Sequence, residues 1–410
     1  MRGSNIKLLA LGLAITAIAL ALGGVVINHT LQEPGDLRYR YNESLCAHSG
    51  VNPFKIWNHE ATSAEFKGMG RPDKEFDADG AKLVVHAYPP WHVVYTWFYG
   101  WLPFPFVVGI MYFISGLALA GLFASLKGCE VGNGDAHDSW LYWAWMGVWL
   151  LPPTISCLTW GQYGIISAGL LAVLILGVKR DAQVLAGVAW GLMMIKPQMA
   201  TLFFFPLLFA KKYKAIMVAL AMSAVATIVL ACHYGESPIA LILQVPQIGA
   251  PYETSAIYAH LPPAIARVVK AGWLVVCIGL CGWLSWRVKD ETNYICRFAP
   301  AALIFPYWMY SQWHDQIVTW PLVVVMAGFI WRYLNSENRY ARMGITIYVG
   351  LTILVGLFAA LWNIFVGMEI FNPAGRGWIY QMFSLPMSAL HFALGCIALL
   401  PAKKIRYISQ

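Results

Sequence analysis

Asp36 is the candidate catalytic base of this chain. It lies in the stretch from Gly35 to Tyr41, directly after the first long apolar run and before a long polar segment. A carboxylate in that position lies where a membrane would end and water begin. It could take a proton from an attacking hydroxyl group, as general base catalysis requires. A solvated loop with one acid and two arginines is the alternative interpretation of these residues.

Further polar residues follow in short elements along the chain, and several could bind an anionic substrate. Lysine, arginine and histidine side chains can neutralise a phosphate leaving group. The glycines around Gln162 predict a tight turn that allows close approach of a backbone or a ligand. The candidates for binding substrate or phosphate are Tyr41, Asn52, Tyr88, Gln162, Lys196, Glu253, His314, Asp315 and Arg376.

Each of these elements also has a structural interpretation. The turn around Gln162 could be an ordinary link between two helices, and Lys196 could reach the lipid headgroups by snorkelling. His314 and Asp315 could form a satisfied interfacial pair. Pro197 disfavours helical backbone at the preceding residue, so a helix end is predicted at Lys196 under either interpretation.

Composition decides the class of protein. Of 410 residues, 59% are hydrophobic and 12% are charged, whereas a soluble domain has about 25% charged residues. The net charge of +8 comes from short basic clusters between apolar runs, which fix orientation in a membrane. The basic residues form no stripe of the kind that binds nucleic acid. The chain is therefore predicted to be an all-α, polytopic integral membrane protein.

The apolar runs and basic clusters together predict a topology. Residues 8–27 form a retained first span, and a single membrane domain over residues 1–410 has about twelve transmembrane helices with both termini cytoplasmic. Later spans include 106–126, 140–158, 163–178, 215–230 and the run 184–210, which is split at Lys196. The outer segments are 28–90, 231–263 and 366–380. We expect a multi-pass protein of the plasma (inner) membrane.

This topology places all the candidate residues on one side of the membrane. Ionisable groups that converge on one face from distant loops predict a site there, on the periplasmic or extracellular side. Transfer of a sugar from a lipid phosphate needs both a base and cations, and the set contains both. Cys46 is expected to be exposed in the first outer segment. No HExxH or cysteine cluster requires a metal, so no cofactor is expected, with a divalent cation as the alternative.

The order of the short elements resembles a known family. The elements are Gly35-Asp36-Leu37 with Tyr41, then Asn52-Pro53-Phe54, Tyr88-Pro89-Pro90, Gly161-Gln162, Lys196-Pro197, and Tyr310 with His314-Asp315. Together they resemble the membrane glycosyltransferases of family 87, which have the GT-C fold and include polyprenol-phosphate-mannose-dependent α-mannosyltransferases. The resemblance implies an inverting enzyme with Asp36 as the base and His314 near the donor phosphate or acceptor.

The resemblance also defines the expected partners. It implies a polyprenyl-phosphate sugar as donor, most often mannose, and a glycolipid or glycan as acceptor in the lipid bilayer. Three features depart from the family pattern: Phe54 replaces a tyrosine, Tyr163 replaces an asparagine, and residues 58–84 form a long insert.

A transporter or flippase of a lipid-linked sugar is the competing hypothesis. A transporter would place its site near the midplane and have repeated halves. The sequence has no internal repeat.

Overall fold

The computed structural model describes residues 36–50, 52–54, 88–128, 154, 157–158, 161–249, 262–308, 313–326, 339–340, 343, 346–347 and 395. Every regular element within these residues is helical, and none of them forms a β-strand. The predicted all-α fold is confirmed for this part of the chain. The predicted first span 8–27, most of the span 140–158, the insert 58–84 and the outer segment 366–380 lie outside the described residues.

The described residues form eleven α-helices, numbered in chain order. The structure has α1 Asp36–His48, α2 Pro90–Tyr95, α3 Phe104–Gly128, α4 Gly164–Lys179, α5 Gln183–Met193, α6 Pro197–Ala200, α7 Phe204–Phe209, α8 Tyr213–Tyr234, α9 Pro238–Gly249, α10 Pro263–Arg287 and α11 Tyr294–Trp308. Short 3₁₀ helices occupy Trp97–Trp101, Thr201–Phe203 and Trp313–Thr319.

Three described helices are long and apolar enough to cross a membrane. Their apolar parts are Phe104–Leu122 of α3, Tyr213–Tyr234 of α8 and Arg267–Arg287 of α10, with 19, 22 and 21 residues. At 1.5 Å per residue each reaches about 30 Å, the thickness of the hydrocarbon core. The predicted spans 106–126 and 215–230 are thus found as long apolar helices. The predicted total of about twelve spans includes segments outside the described residues and stays a prediction.

The run 184–210 is broken where the sequence predicts a break. Helix α5 ends at Met193, and Lys196 has φ −120° and ψ 87°, outside the helical region. Pro197 then occupies the first turn of α6, where its missing N–H would have had no partner in any case. Pro90 begins α2 in the same way. Both proline predictions are confirmed.

Helices α4 and α5 pack side by side, with α3 and α8 against them. The turn from α4 to α5 contains Asp181, and the break at Lys196 lies at the other end of α5. The 11 residues of α5 separate these two ends by about 16 Å. Exposed basic residues lie at the Asp181 end, among them Arg180, Lys211 and Lys214. The opposite end carries the polar cluster described below.

The two large segments that are predicted to be outer contain helices in their described parts. Helix α1 lies within segment 28–90, and α9 lies within segment 231–263. Helix α1 is short and mostly buried, and it packs against α2, α3 and the 3₁₀ helix Trp97–Trp101. The stretch around Asp36 is therefore not the solvated loop of the alternative interpretation.

Gly161 lets α1 approach the start of α4. Its φ is +62°, and a Cβ atom there would lie 2.6 Å from Cβ of Leu37. Glycine alone adopts such a φ without a steric penalty, and the contact leaves no room for a side chain. The predicted tight turn with close backbone approach is confirmed, and α1 is the element that approaches.

Changing Gly161 to Ala should therefore destabilise the protein. The positive φ alone costs about 1 kcal/mol for a residue with a side chain, and the contact with Leu37 adds to it. Thermal unfolding in detergent, followed by tryptophan fluorescence, measures the effect. Gly116→Ala in α3 is the control, because nothing lies within 4 Å of its Cβ position. Equal unfolding temperatures for the two variants would contradict this account of the turn.

Candidate active site

Lys196 is the centre of a buried polar cluster. Its side chain is only 2% exposed. Its Nζ donates a hydrogen bond of 2.8 Å to Oδ1 of Asp315 and another to Oε1 of Gln162. Nζ also lies 5.4 Å from the ring centre of Tyr88, whose hydroxyl lies 3.5 Å from the same oxygen of Gln162. The cluster therefore joins four segments that are far apart in the sequence.

The backbone explains how each of these side chains reaches the cluster. Lys196 lies in the break between α5 and α6, and Gln162 lies in the turn before α4. Asp315 lies in the 3₁₀ helix Trp313–Thr319, which packs against α4. Burial alone would lower the pKa of the Lys196 ammonium, but the carboxylate of Asp315 raises that pKa above its ordinary value. Lys196 is thus held as a cation.

Asp36 lies at the edge of this cluster. It is the first residue of α1 and is half-buried. Burial raises the pKa of its carboxyl group above the ordinary value, and the charges of Arg40 and Lys196 oppose that rise. Asp36 forms no salt bridge with another residue in the described part of the chain. A carboxylate with a raised pKa and no salt-bridge partner suits a proton acceptor.

A second buried polar group lies behind Asp36. Arg40 forms an ion pair with Glu43, and the guanidinium carbon of Arg40 lies 4.1 Å from the ring centre of Tyr88. Nδ1 of His92 lies 3.5 Å from Oε2 of Glu43, and its Nε2 lies 3.4 Å from the hydroxyl of Tyr163. Arg40, Glu43, His92 and Tyr163 are all less than 5% exposed. The group connects α1 to α2 and to the turn that holds Gln162.

Tyr41 and Asn52 have structural surroundings rather than a place in the polar cluster. The ring of Tyr41 packs 5.2 Å from that of Phe104 at the start of α3, within an apolar cluster. Asn52 Oδ1 accepts a hydrogen bond of 2.9 Å from the backbone N–H of Phe54. Such a bond is typical of an asparagine that fixes a turn. Phe54 itself is buried against α2 and α8.

The structure does not describe the side chains of three candidate residues. Glu253 and Arg376 lie outside the described residues. The backbone of His314 belongs to the 3₁₀ helix Trp313–Thr319, directly before Asp315. The structure therefore brings together Asp36, Tyr88, Gln162, Lys196 and Asp315 from the set that the sequence analysis selected.

Comparison with protein families supplies the next observation. The model of glycosyltransferase family 87 matches residues 86–241. The matched family is the one that the short sequence elements resemble, and the match points to a membrane glycosyltransferase. Comparison with curated proteins and with solved structures found no match.

The family-87 match covers part of the site only. Tyr88, Gln162 and Lys196 lie within the matched residues, whereas Asp36 and Asp315 lie on either side of them. The assignment of Asp36 and Asp315 to the same site therefore rests on the geometry of the structure. Tyr163, where the family commonly has asparagine, is buried and directs its hydroxyl toward His92.

The candidate residues predicted from the sequence do not include Arg40, Glu43 or His92. Asp36, Arg40 and Glu43 are spaced i, i+4 and i+7, which places them on one face of a helix. That spacing was readable, but only if the stretch had been recognised as a helix. The prediction that Cys46 is exposed was wrong: it is fully buried on α1, and burial raises the pKa of its thiol. A thiol of this kind is inert.

No group of three or more His, Cys, Asp or Glu side chains in the described residues is arranged to hold a metal ion. Two of the carboxylates described above are instead paired with cations, Asp315 with Lys196 and Glu43 with Arg40. The arrangement can take up a proton at Asp36 and present positive charge from Lys196 and Arg40 beside it.

Each member of the buried Lys196–Asp315 pair should be needed for stability only while the other member is present. Lys196→Met leaves a buried, uncompensated carboxylate, which costs about 3–5 kcal/mol, whereas replacing both partners by apolar residues is far less destabilising. We expect Lys196→Met to lower the unfolding temperature more than Lys196→Met combined with Asp315→Leu. Thermal unfolding in detergent measures both.

The exposed pair of Lys212 and Asp181, with a 2.7 Å salt bridge, is the matched control. Asp181 is 70% exposed, and such surface pairs contribute about 0–1 kcal/mol. Lys212→Met should leave the unfolding temperature nearly unchanged. Asp315→Leu alone completes the comparison. If the loss of stability in the double variant equals the sum of the losses in Lys196→Met and Asp315→Leu, the two side chains do not compensate each other.

Proposed function

We propose that this protein transfers a sugar from a polyprenyl-phosphate donor to a glycolipid or glycan acceptor, with Asp36 as the general base. The observation that carries the proposal is the half-buried Asp36, free of any salt bridge with a described residue, beside the buried cations Lys196 and Arg40. The family-87 match supports the reaction class. Mannose is the sugar that the family resemblance favours.

The reaction requires one proton transfer and one bond exchange. Asp36 accepts the proton of the acceptor hydroxyl while that oxygen attacks the anomeric carbon of the donor sugar. The bond between the anomeric carbon and the phosphate oxygen breaks, and polyprenyl phosphate leaves with both electrons. Attack from the side opposite the leaving group inverts the anomeric configuration.

The leaving phosphate needs positive charge as its own charge develops. Lys196 supplies such charge, but its hydrogen bonds already go to Asp315 and Gln162. We therefore assign Lys196 to position the site and to contribute its electric field. We assign direct contact with the phosphate to His314 and Arg376. We propose that the acceptor binds beside Asp36.

The proposal places this site on the extracytoplasmic side of the plasma (inner) membrane. The exposed basic residues Arg180, Lys211 and Lys214 lie at the opposite end of the helices α4, α5 and α8. Basic residues concentrate on the cytoplasmic side of membrane proteins. With that end in the cytoplasm, the polar cluster faces the extracytoplasmic side. Both termini of the chain are then assigned to the cytoplasmic side.

Sugar transfer by the purified protein in nanodiscs tests the proposal. The assay supplies polyprenyl-phosphate-mannose and a mixed pool of glycolipid acceptors. We expect transfer by the wild type and a loss of at least about 100-fold in Asp36→Asn, which is the lower range for a general base. Asp181→Asn is the matched control, since Asp181 is exposed and lies at the far end of the helices. It should transfer at the wild-type rate.

Two outcomes would contradict the proposal in different ways. Equal transfer by the wild type and Asp36→Asn would exclude Asp36 as the base and make Glu253 the next candidate. No transfer from any polyprenyl-phosphate sugar would favour a transporter or flippase of a lipid-linked sugar. A flippase would move the donor across a vesicle membrane equally well with Asp36 or asparagine at that position.

A further inference from the structure

Three charged residues alternate in sign along one face of α1. Asp36, Arg40 and Glu43 are four and then three residues apart, and side chains with this spacing lie above one another on a helix. Asp36 is half-buried, whereas Arg40 and Glu43 are 4% and 0% exposed. The face therefore runs from the edge of the site into the protein interior.

The buried end of this face is fixed by its neighbours. Arg40 is paired with Glu43, and its guanidinium lies over the ring of Tyr88. Glu43 in turn lies 3.5 Å from Nδ1 of His92, which extends from α2. A buried ion pair is not in itself a source of stability, because desolvation offsets the attraction between its charges. Its presence next to the proposed base calls for another role.

We propose that the ion pair of Arg40 and Glu43, held by His92, controls the protonation of Asp36. These are positioning residues, which act through Asp36 and are not proposed to touch the substrate. The inference rests on the proposed function, in which Asp36 must be ionised to accept a proton. It explains how the protein keeps the half-buried carboxylate of Asp36 ionised so that it can accept a proton.

The charges around Asp36 act in opposite directions. Burial raises the pKa of Asp36, while Arg40 and then Lys196 lower it, and Asp315 and Glu43 raise it. The other titratable groups in the cluster are Tyr88 beside Arg40, His92 beside Glu43, and Tyr163 beside His92. Asp315 is bonded to Lys196 and opposes its effect on the pKa of Asp36. Arg40 is then the principal cation that opposes burial, and Glu43 limits its effect.

Arg40 and Glu43 also differ in their distance from Asp36 along α1, and therefore in their effect on its protonation. Arg40 is one helical turn from Asp36, and Glu43 is two turns away, so the field of Arg40 at Asp36 is the stronger. Loss of Arg40 should raise the pH at which Asp36 loses its proton. Loss of Glu43 should lower it. A purely structural role would not produce shifts of opposite sign, because loosening α1 by either route exposes Asp36 in the same way.

Labelling of Asp36 with a hydrophobic carbodiimide measures its protonation without any sugar donor. Carbodiimides react with protonated carboxyl groups, and mass spectrometry of the digested protein locates the adduct. Labelling is followed against pH in nanodiscs for the wild type, Arg40→Gln, Glu43→Gln and the double variant. Asp36→Asn identifies the adduct, and Lys212→Gln is the control for loss of a distant cation.

We expect the midpoint of labelling to rise by about 1 pH unit or more in Arg40→Gln, the range for an adjacent cation. In Glu43→Gln it should fall by a smaller amount. In the double variant it should rise, but less than in Arg40→Gln. Lys212→Gln should match the wild type. Midpoints that are unchanged, or that move in the same direction in both single variants, would overturn the inference.

Either single variant leaves one buried charge without its partner and could fail to fold. The double variant avoids this problem, because two amides can replace the ion pair by a neutral hydrogen bond. If only the double variant folds, its midpoint decides: a rise supports the inference, and the wild-type midpoint overturns it.

A parallel measurement separates this inference from the proposed function. The acidic limb of kcat/KM for sugar transfer should move with the labelling midpoint in each variant, because kcat/KM reports the pKa values of the free enzyme. Labelling shifts without any transfer by the wild type would refute the proposed function and leave the charge control of Asp36 standing. Sugar transfer by the wild type without labelling shifts in the variants would support the proposed function and refute the charge control of Asp36.

Discussion

The buried ion pair of Lys196 and Asp315 is the interaction on which the polar site depends. Its members are 119 residues apart, and each would carry a large desolvation penalty alone. Lys196 can reach Asp315 only because the helical run 183–209 is interrupted directly before Pro197. The same ammonium holds Gln162 and thereby the turn that precedes α4. One cation thus fixes the relative positions of three segments of backbone.

Helix α1 is placed by this arrangement, since it packs against the turn that Lys196 holds. Leu37 fills the space left by Gly161, and the next turn of α1 buries Arg40 against Tyr88. Asp36 then lies at the amino end of α1, where the helix dipole favours a negative charge. Burial acts against that charge. The proton affinity of Asp36 is consequently a balance between packing and electrostatics, both set by contacts elsewhere in the cluster.

The sequence predicted the parts of this structure that depend on local rules. The break at Pro197, the start of α2 at Pro90 and the close approach at Gly161 follow from the backbone limits of proline and glycine. Helix α1 could not be predicted in this way, because its buried face includes Arg40, Asn42 and Glu43. Apolar periodicity reveals a helix only when the buried face is apolar. The wrong expectation for Cys46 has the same origin.

The acids of the site come from outside the segment that matches family 87. Residues 86–241 contribute the cation Lys196, the amide Gln162 and the ring of Tyr88, whereas Asp36 precedes the segment and Asp315 follows it. A matched segment alone would leave Lys196 buried without an anion, which is unfavourable. Both flanks must therefore fold against it before the cluster is electrically balanced. Because Asp315 satisfies Lys196, Asp36 is left without that pairing and can serve as an acceptor of protons.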